Sequence, residues 1–264
     1  MEHLGYEYCK ADPDVWMRST TMTYGQDYYE YILLYVKDCL CRSENPKPAL
    51  LKVDKYFPTK SASLGPSKTY FGGTFSKIKL PNGVHAWAFS SSQYVNEAVK
   101  SVEEQLEKVG KKFMFKKPGT PIPTSYIPEL DITPELISID AVYYQSLVGI
   151  LLWIVELGRV EMFLEGSLMY SHLVLTREGH LDKLFHIFAY LKWKHRARMV
   201  FDPTYPSIDN DDFPRHDWEK HYGEVKYVIP KNSLSPRGKG FNRIRYVDAD
   251  LARDKVIRRS RTGL

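Results

Sequence analysis

Short apolar runs broken by turn signals dominate the first ninety residues. Residues 28–41 (YYEYILLYVKDCLC) contain two β-rich runs on either side of the polar pair Lys37-Asp38, which predicts a β-hairpin. Two more strand-like stretches lie between residues 69 and 89, around the turn signal Asn82-Gly83, and residues 46–57 fit a short amphipathic helix. This part of the chain therefore predicts an α+β arrangement.

Helical periodicity takes over from residue 92. Residues 92–110 place Val95, Val99, Val102 and Leu106 on one helix face, and Gly110 stands where a helix C-terminus favours glycine. Five prolines between residues 116 and 134 remove too many amide donors for regular structure, so this stretch is predicted to be an extended connector. Between residues 140 and 195 the apolar pattern predicts three packed helices, at 144–157, 162–175 and 178–194.

The composition indicates in which compartment the protein resides, and its net charge bears weakly on the kind of partner. With 264 residues and 43% hydrophobic content, the chain can bury a sizeable core, and its formal net charge of +5 allows a polyanionic partner without requiring one. Three cysteines form neither a CxxC pair nor an even-numbered framework, which indicates a reducing compartment. The N-terminus has no signal-sequence pattern, and the longest apolar run, 147–155, is too short to span a bilayer. We expect a cytoplasmic or nuclear protein that is not secreted and not bound to a membrane.

The segment 33–40 (LLYVKDCL) resembles the hydrophobic-YVDD-hydrophobic motif of copia-type retrotransposon reverse transcriptases. Lys37 stands where the first aspartate of that motif belongs, and Asp38 matches the second. Alone, such a hairpin would usually be a structural feature, so the resemblance depends on an ordered series of further segments. These are 4–6 (LGY) with 9–16, 70–73 (YFGG), 89–95 (FSSSQYV), 120–122 (TPI), 144–151 (YQSLVGIL), 189–192 (AYLK) and 246–250 (YVDAD).

The resemblance implies an α+β fold in pieces. A polymerase palm remnant with its β-hairpin and a helical thumb would occupy residues 1–118, and a proline-rich connector residues 119–138. A helical connection would follow at 139–199 and a linker at 200–240. Residues 241–264 would form the first strand of a truncated RNase H-like domain. The parent function would be RNA-directed DNA polymerisation with Mg²⁺ on an RNA or DNA template-primer.

Three departures from the family pattern predict that this chain is catalytically inactive. A two-metal polymerase site needs carboxylates, whereas Lys37 brings an ammonium group. At an effective dielectric of about 20, a unit charge about 4 Å away interacts by roughly 4 kcal/mol, so Lys37 would repel a metal ion. The family's earlier palm aspartate would lie before residue 1. Asp248 would supply the first RNase H carboxylate, but the later acids would fall beyond Leu264. We therefore expect no Mg²⁺ to be bound at Asp38 or Asp248, the two positions that match the family's metal ligands.

Two other interpretations stay open. The C-terminal stretch 236–264 holds nine basic residues against three acids, which favours weak, sequence-independent nucleic-acid binding through residues such as Arg258, Arg259 and Arg261. The chain would then be a non-catalytic nucleic-acid-binding remnant. The alternative is a degenerate reading frame without function. The sequence leaves the oligomeric state open.

Overall fold

A computed structural model describes residues 1–36, 38–58, 64–66, 68–113, 117–204, 217, 219–224, 228, 233, 235 and 237, and the backbone of 249–250 and 261–262. The chain forms two compact units. Unit 1 comprises Met1–Gly65 and Asp202–Asn242, and unit 2 comprises Pro66–Phe201 and Arg243–Leu264. Both contain an antiparallel sheet and helices, so the predicted α+β class is confirmed. The predicted domains follow a family resemblance rather than contacts, and they stay predictions.

Unit 1 is built on a four-stranded antiparallel sheet whose strands follow chain order: β1 Glu7–Tyr8, β2 Val15–Thr21, β3 Asp27–Tyr35 and β4 Asp38–Arg42. A 3-10 turn, Glu2–Leu4, precedes the sheet, α1 (Pro46–Asp54) follows it, and α6 is the short helix Glu219–Tyr222. Pro46 begins α1, where its fixed φ and missing amide proton cost nothing. The predicted hairpin and the predicted short helix are both confirmed.

A small apolar cluster lies between this sheet and α1. Tyr6, Ile32 and Val53 are buried, and Trp16, Leu34, Cys39 and Cys41 pack around them. The strand register explains why these residues form the cluster. Ile32 is opposite Trp16 on β2 and opposite Cys41 on β4, so the three side chains lie on one face of the sheet.

Unit 2 contains a second antiparallel sheet: β5 Thr69–Tyr70, β6 Gly73–Lys79, β7 His85–Ser90 and β8 Met199–Phe201. The hairpin β6–β7 turns at Asn82-Gly83 as predicted, with Gly83 at φ 83°. Strand β8 was not predicted, since the expected helical connection runs to residue 199. A short pair, β9 Ala249–Asp250 with β10 Arg261–Thr262, completes the described strands of this unit.

The helices of unit 2 share one apolar core. They are α2 Ser92–Lys108, α3 Ser138–Glu156, α4 Phe163–Tyr170 and α5 Glu178–Lys194, with 3-10 turns at Pro128–Leu130 and Val160–Met162. All four residues of the predicted α2 face are buried, and Leu184, Phe188 and Leu191 of α5 join them. The three-helix prediction is confirmed. Apart from the turn at Pro128–Leu130, residues 117–134 form no helix or strand.

Among the described helices, α3 is long and apolar enough to cross a bilayer by length and composition, a test that core helices also pass. One face of α3 lies in the core of unit 2, where Tyr144, Leu147, Val148, Leu151 and Ile154 are buried. The absence of membrane association stays a prediction.

Candidate active site at the β3–β4 hairpin

The hairpin that carries the YVDD-like segment has a two-residue loop. Tyr35, the last residue of β3, is opposite Asp38, the first residue of β4, so Val36 and Lys37 form the connection. Leu34 and Leu33 are then opposite Cys39 and Leu40. Asp38 is half-buried beside the loop. Lys37, the predicted substitution of the first acid, lies outside the described residues.

Val36 has an unfavourable backbone at the loop. Its φ is 49°, in the left-handed region, and its side chain is 95% exposed. A β-branched side chain is rare there because its Cβ crowds the backbone, at a cost of roughly 1–2 kcal/mol. Two-residue hairpin loops require positive φ because that matches the twist of the flanking strands. The hairpin therefore imposes this conformation on a residue that disfavours it.

A two-metal site needs several oxygen ligands around each ion. Among the residues that the structure describes, no group of three His, Cys, Asp or Glu side chains is arranged to hold a metal ion. Asp38 thus has no pair of described partner ligands, and the described residues do not fit a two-magnesium centre at this hairpin.

The remaining predicted site residues are only partly within the described chain. Asp248, Arg258 and Arg259 lie outside it. For Arg261, only the backbone is described, in strand β10, where it is opposite Asp250 of β9. The roles predicted for these residues stay predictions.

Beneath the hairpin, sequence reasoning missed a buried polar network. Glu30 on β3 is 4% exposed and accepts hydrogen bonds from the Tyr6 hydroxyl and from Arg18 Nη2, the latter at 2.7 Å. Arg18 also donates to the Leu4 carbonyl at 3.1 Å, and its guanidinium carbon lies 4.5 Å from the centre of the Tyr6 ring. Burial, and then the hydrogen bond to Glu30, raise the pKa of Tyr6. The phenol therefore stays protonated and serves as a fixed donor.

The sequence contained one signal for this network. Glu30 falls two and four residues before Ile32 and Leu34, and a strand repeats every two residues, so all three side chains share a face. Arg18 is directly opposite Glu30 on β2, which places the opposite charge within reach.

The two hairpin cysteines have thiols with raised pKa values. Cys39 and Cys41 are partly buried and pack against the small core. Burial raises the pKa of Cys39, and burial together with the nearby Glu30 raises the pKa of Cys41 to about 12. Because the thiolate is the reactive form, a raised pKa lowers the reactivity of both thiols.

Comparison with known proteins identifies no relative of this chain. No protein-family model matches it, and neither the curated proteins nor the solved structures contain a significant match. The resemblance to reverse transcriptases therefore depends on the residues themselves.

Proposed function

We propose that the chain is a catalytically inactive piece of a copia-type retrotransposon reverse transcriptase. The proposal is based on the β3–β4 hairpin. Asp38 is the first residue after its two-residue loop, and Lys37 precedes Asp38 in the sequence. In the YVDD motif, those two positions hold adjacent acids. An acid replaced by a base at that point removes a metal ligand and adds a repulsive charge.

The order of the other elements supports the same proposal. After the hairpin come α1, the hairpin β6–β7, helix α2 and the helical core of α3–α5. The segments that resemble the family fall on these elements in the same order: 70–73 spans the turn from β5 to β6, 89–95 leads from β7 into α2, and 144–151 lies on α3. A resemblance confined to the eight-residue motif would carry far less weight.

A primer-extension assay tests the expected lack of activity. The purified full chain, given a labelled DNA primer on an RNA template with Mg²⁺ or Mn²⁺, should show no templated extension above a no-enzyme reaction. An active reverse transcriptase in the same buffer is the positive control. Extension that depends on template sequence would show that the chain is an active polymerase, and the proposal of inactivity would be wrong.

Nucleic-acid binding without catalysis is the second candidate. It is favoured by the charge of residues 236–264, which include nine basic residues and three acids. Replacing Arg258, Arg259 and Arg261 with glutamine in the full chain should weaken single-stranded RNA binding. The salt slope should flatten by about 0.7 for each phosphate that the variant no longer neutralises. Unchanged affinity and slope would exclude a role for these three arginines.

A further inference from the structure

In the part of the chain that the structure describes, β4 is an edge strand of the unit 1 sheet. It pairs with β3 through consecutive residue pairs, from Tyr35–Asp38 to Tyr31–Arg42, without a bulge. An edge strand presents backbone N–H and C=O groups that another strand can bind, and many proteins protect such an edge with lysines, prolines or a bulge. Residues 38–42 (DCLCR) have none of these, and their two charges are of opposite sign.

The backbone groups at this edge belong to Cys39 and Cys41. Leu34 on β3 donates its N–H to the Asp14 carbonyl at 2.9 Å, on the side of β2. Because antiparallel pairs alternate between hydrogen-bonded and non-hydrogen-bonded, Leu34 and Cys39 form a non-hydrogen-bonded pair, and so do Ile32 and Cys41. The N–H and C=O groups of both cysteines therefore point away from β3, and no described residue forms a hydrogen bond with them.

The side chains of β4 are complementary to those of a second β4 strand. Cys39 and Cys41 face the small apolar cluster, so Asp38, Leu40 and Arg42 lie on the other face of the sheet. When two such strands run antiparallel with Leu40 opposite Leu40, Asp38 of each copy is opposite Arg42 of the other. Opposite charges in this arrangement stabilise strand pairing, and like charges destabilise it.

Both charged side chains are accessible to a partner strand. Asp38 is half-buried and Arg42 is exposed, and neither forms an ion pair with another described residue. The guanidinium carbon of Arg42 lies 5.7 Å from the centre of the Tyr31 ring. This contact holds Arg42 beside the strand without neutralising its charge.

We propose that two copies of this chain associate through β4, which joins their unit 1 sheets edge to edge into one antiparallel sheet. Cys39 of each copy pairs with Cys41 of the other, and the two residues exchange both of their backbone hydrogen bonds. Leu40 meets Leu40 at the two-fold axis, between the two Asp38–Arg42 pairs. Any other register loses both charge pairs, so the sequence of β4 selects this one. The association does not depend on the proposed origin of the chain.

Sedimentation velocity of the full chain at several concentrations tests the proposal, and it should show a reversible monomer–dimer equilibrium. Asp38→Arg and Arg42→Asp each place like charges opposite one another at both ends of the pairing. Each should therefore weaken the dimer at least about fivefold. The double variant Asp38→Arg/Arg42→Asp exchanges the charges and should restore most of the lost affinity. Circular dichroism melts verify that each variant keeps the fold.

Glu7 provides a matched control for the charge reversals. It is exposed and lies on β1, the strand at the other end of the described sheet order. Glu7→Arg makes the same change of charge as Asp38→Arg but is remote from the proposed interface. It should leave the dimer affinity unchanged.

Disulfide crosslinking is a second measurement, which decides the matter if the charge variants do not fold. In the proposed register the two Leu40 Cα atoms are about 4.5 Å apart, within disulfide range. Leu40→Cys should therefore form a covalent dimer on mild oxidation faster than the unsubstituted chain, which measures crosslinking by the native cysteines. Arg42→Cys should not, because its two copies are four residues out of register, roughly 14 Å apart.

Several results would overturn the proposal. They are a monomer at every concentration, a dimer that Glu7→Arg weakens as much as Asp38→Arg does, and a folded double variant that regains no affinity. Crosslinking of Leu40→Cys no faster than that of Arg42→Cys would also reject this register. None of these outcomes depends on polymerase activity, so failure here leaves the proposed origin of the chain untouched.

Discussion

The two units are stabilised in different ways. In unit 2, seventeen buried apolar residues of the described chain form one cluster across α2–α5, whereas in unit 1 the corresponding cluster has three. In unit 1, the buried Glu30 on β3 instead binds Arg18 on β2 and Tyr6, the residue that precedes β1. Unit 2 thus depends mainly on apolar burial, whereas the sheet of unit 1 contains a buried ion pair.

This difference predicts which changes each unit tolerates. Apolar burial is non-directional, so unit 2 should respond mainly to a decrease in side-chain volume. A buried carboxylate needs its hydrogen-bond donors in fixed positions. Unit 1 should therefore lose stability when the charge of the Glu30 carboxylate alone is removed. Amide hydrogen exchange, measured separately for α3–α5 of unit 2 and for β2–β4 of unit 1, shows which unit a given substitution destabilises.

The largest effect should come from Phe188→Ala. Phe188 is fully buried on α5, and removing its ring leaves a cavity that costs about 3–5 kcal/mol. Exchange should accelerate in α3–α5, and the urea midpoint of that unit should fall. Phe163→Ala on α4 is the control, because that ring is 46% exposed and its removal should cost far less. Equal effects of the two substitutions would show that the helical core is not packed as described.

Glu30→Gln should destabilise unit 1 by about 1–3 kcal/mol, because the charge-assisted bonds from Arg18 and Tyr6 are weakened while these groups stay in place. Exchange should accelerate in β2 and β3. Glu103→Gln removes a more exposed carboxylate, 2.5 Å from Lys192 Nζ, and should cost under about 1 kcal/mol. If Glu30→Gln were as mild as the control, the polar network would not stabilise this sheet.

Two helical glycines should respond to alanine with opposite signs. At Gly179 on α5, a Cβ would collide with Asp131 Oδ2, and Thr133 and Tyr126 hold that carboxylate by hydrogen bonds. We expect Gly179→Ala to destabilise unit 2 by about 1–3 kcal/mol. Gly149 on α3 has nothing within 4 Å, so Gly149→Ala should stabilise the unit by up to about 1 kcal/mol. Thermal melts giving the same sign for both would contradict the described packing around Asp131.

The smallest effect concerns the hairpin loop. Asparagine tolerates the left-handed region better than valine, so Val36→Asn should stabilise unit 1 by up to about 1 kcal/mol. Val174→Asn is the control, since Val174 is also exposed but is not among the described residues with positive φ. Urea titrations in which both variants behave alike would show that Val36 is not strained.

Regular periodicity made much of the fold predictable. The α2 face at Val95, Val99, Val102 and Leu106 follows from the 3.6-residue repeat, and all four residues are buried. The hairpins β3–β4 and β6–β7 follow from strand runs beside polar or Asn-Gly turns. These signals are local, which is why one sequence is enough to detect them.

Long-range pairing was not predictable. Strand β8 has only three residues, and its partner β7 is more than a hundred residues earlier in the chain, so Met199–Phe201 carries no local signal of its own. The burial of Glu30 was likewise missed, because its partner Arg18 becomes its neighbour only when β2 pairs with β3. Acids that would join Asp38 in a site cannot be chosen from spacing alone, for the same reason.

The origin of the chain is tested most directly by sequencing the genomic DNA on both sides of its reading frame. The proposal predicts upstream sequence that encodes reverse-transcriptase fingers and an earlier palm strand with its aspartate, and downstream sequence that encodes the further RNase H acids. Open frames there would indicate a longer protein, and stop codons would indicate a relic. Flanking DNA that encodes neither element on either side would contradict the proposed origin.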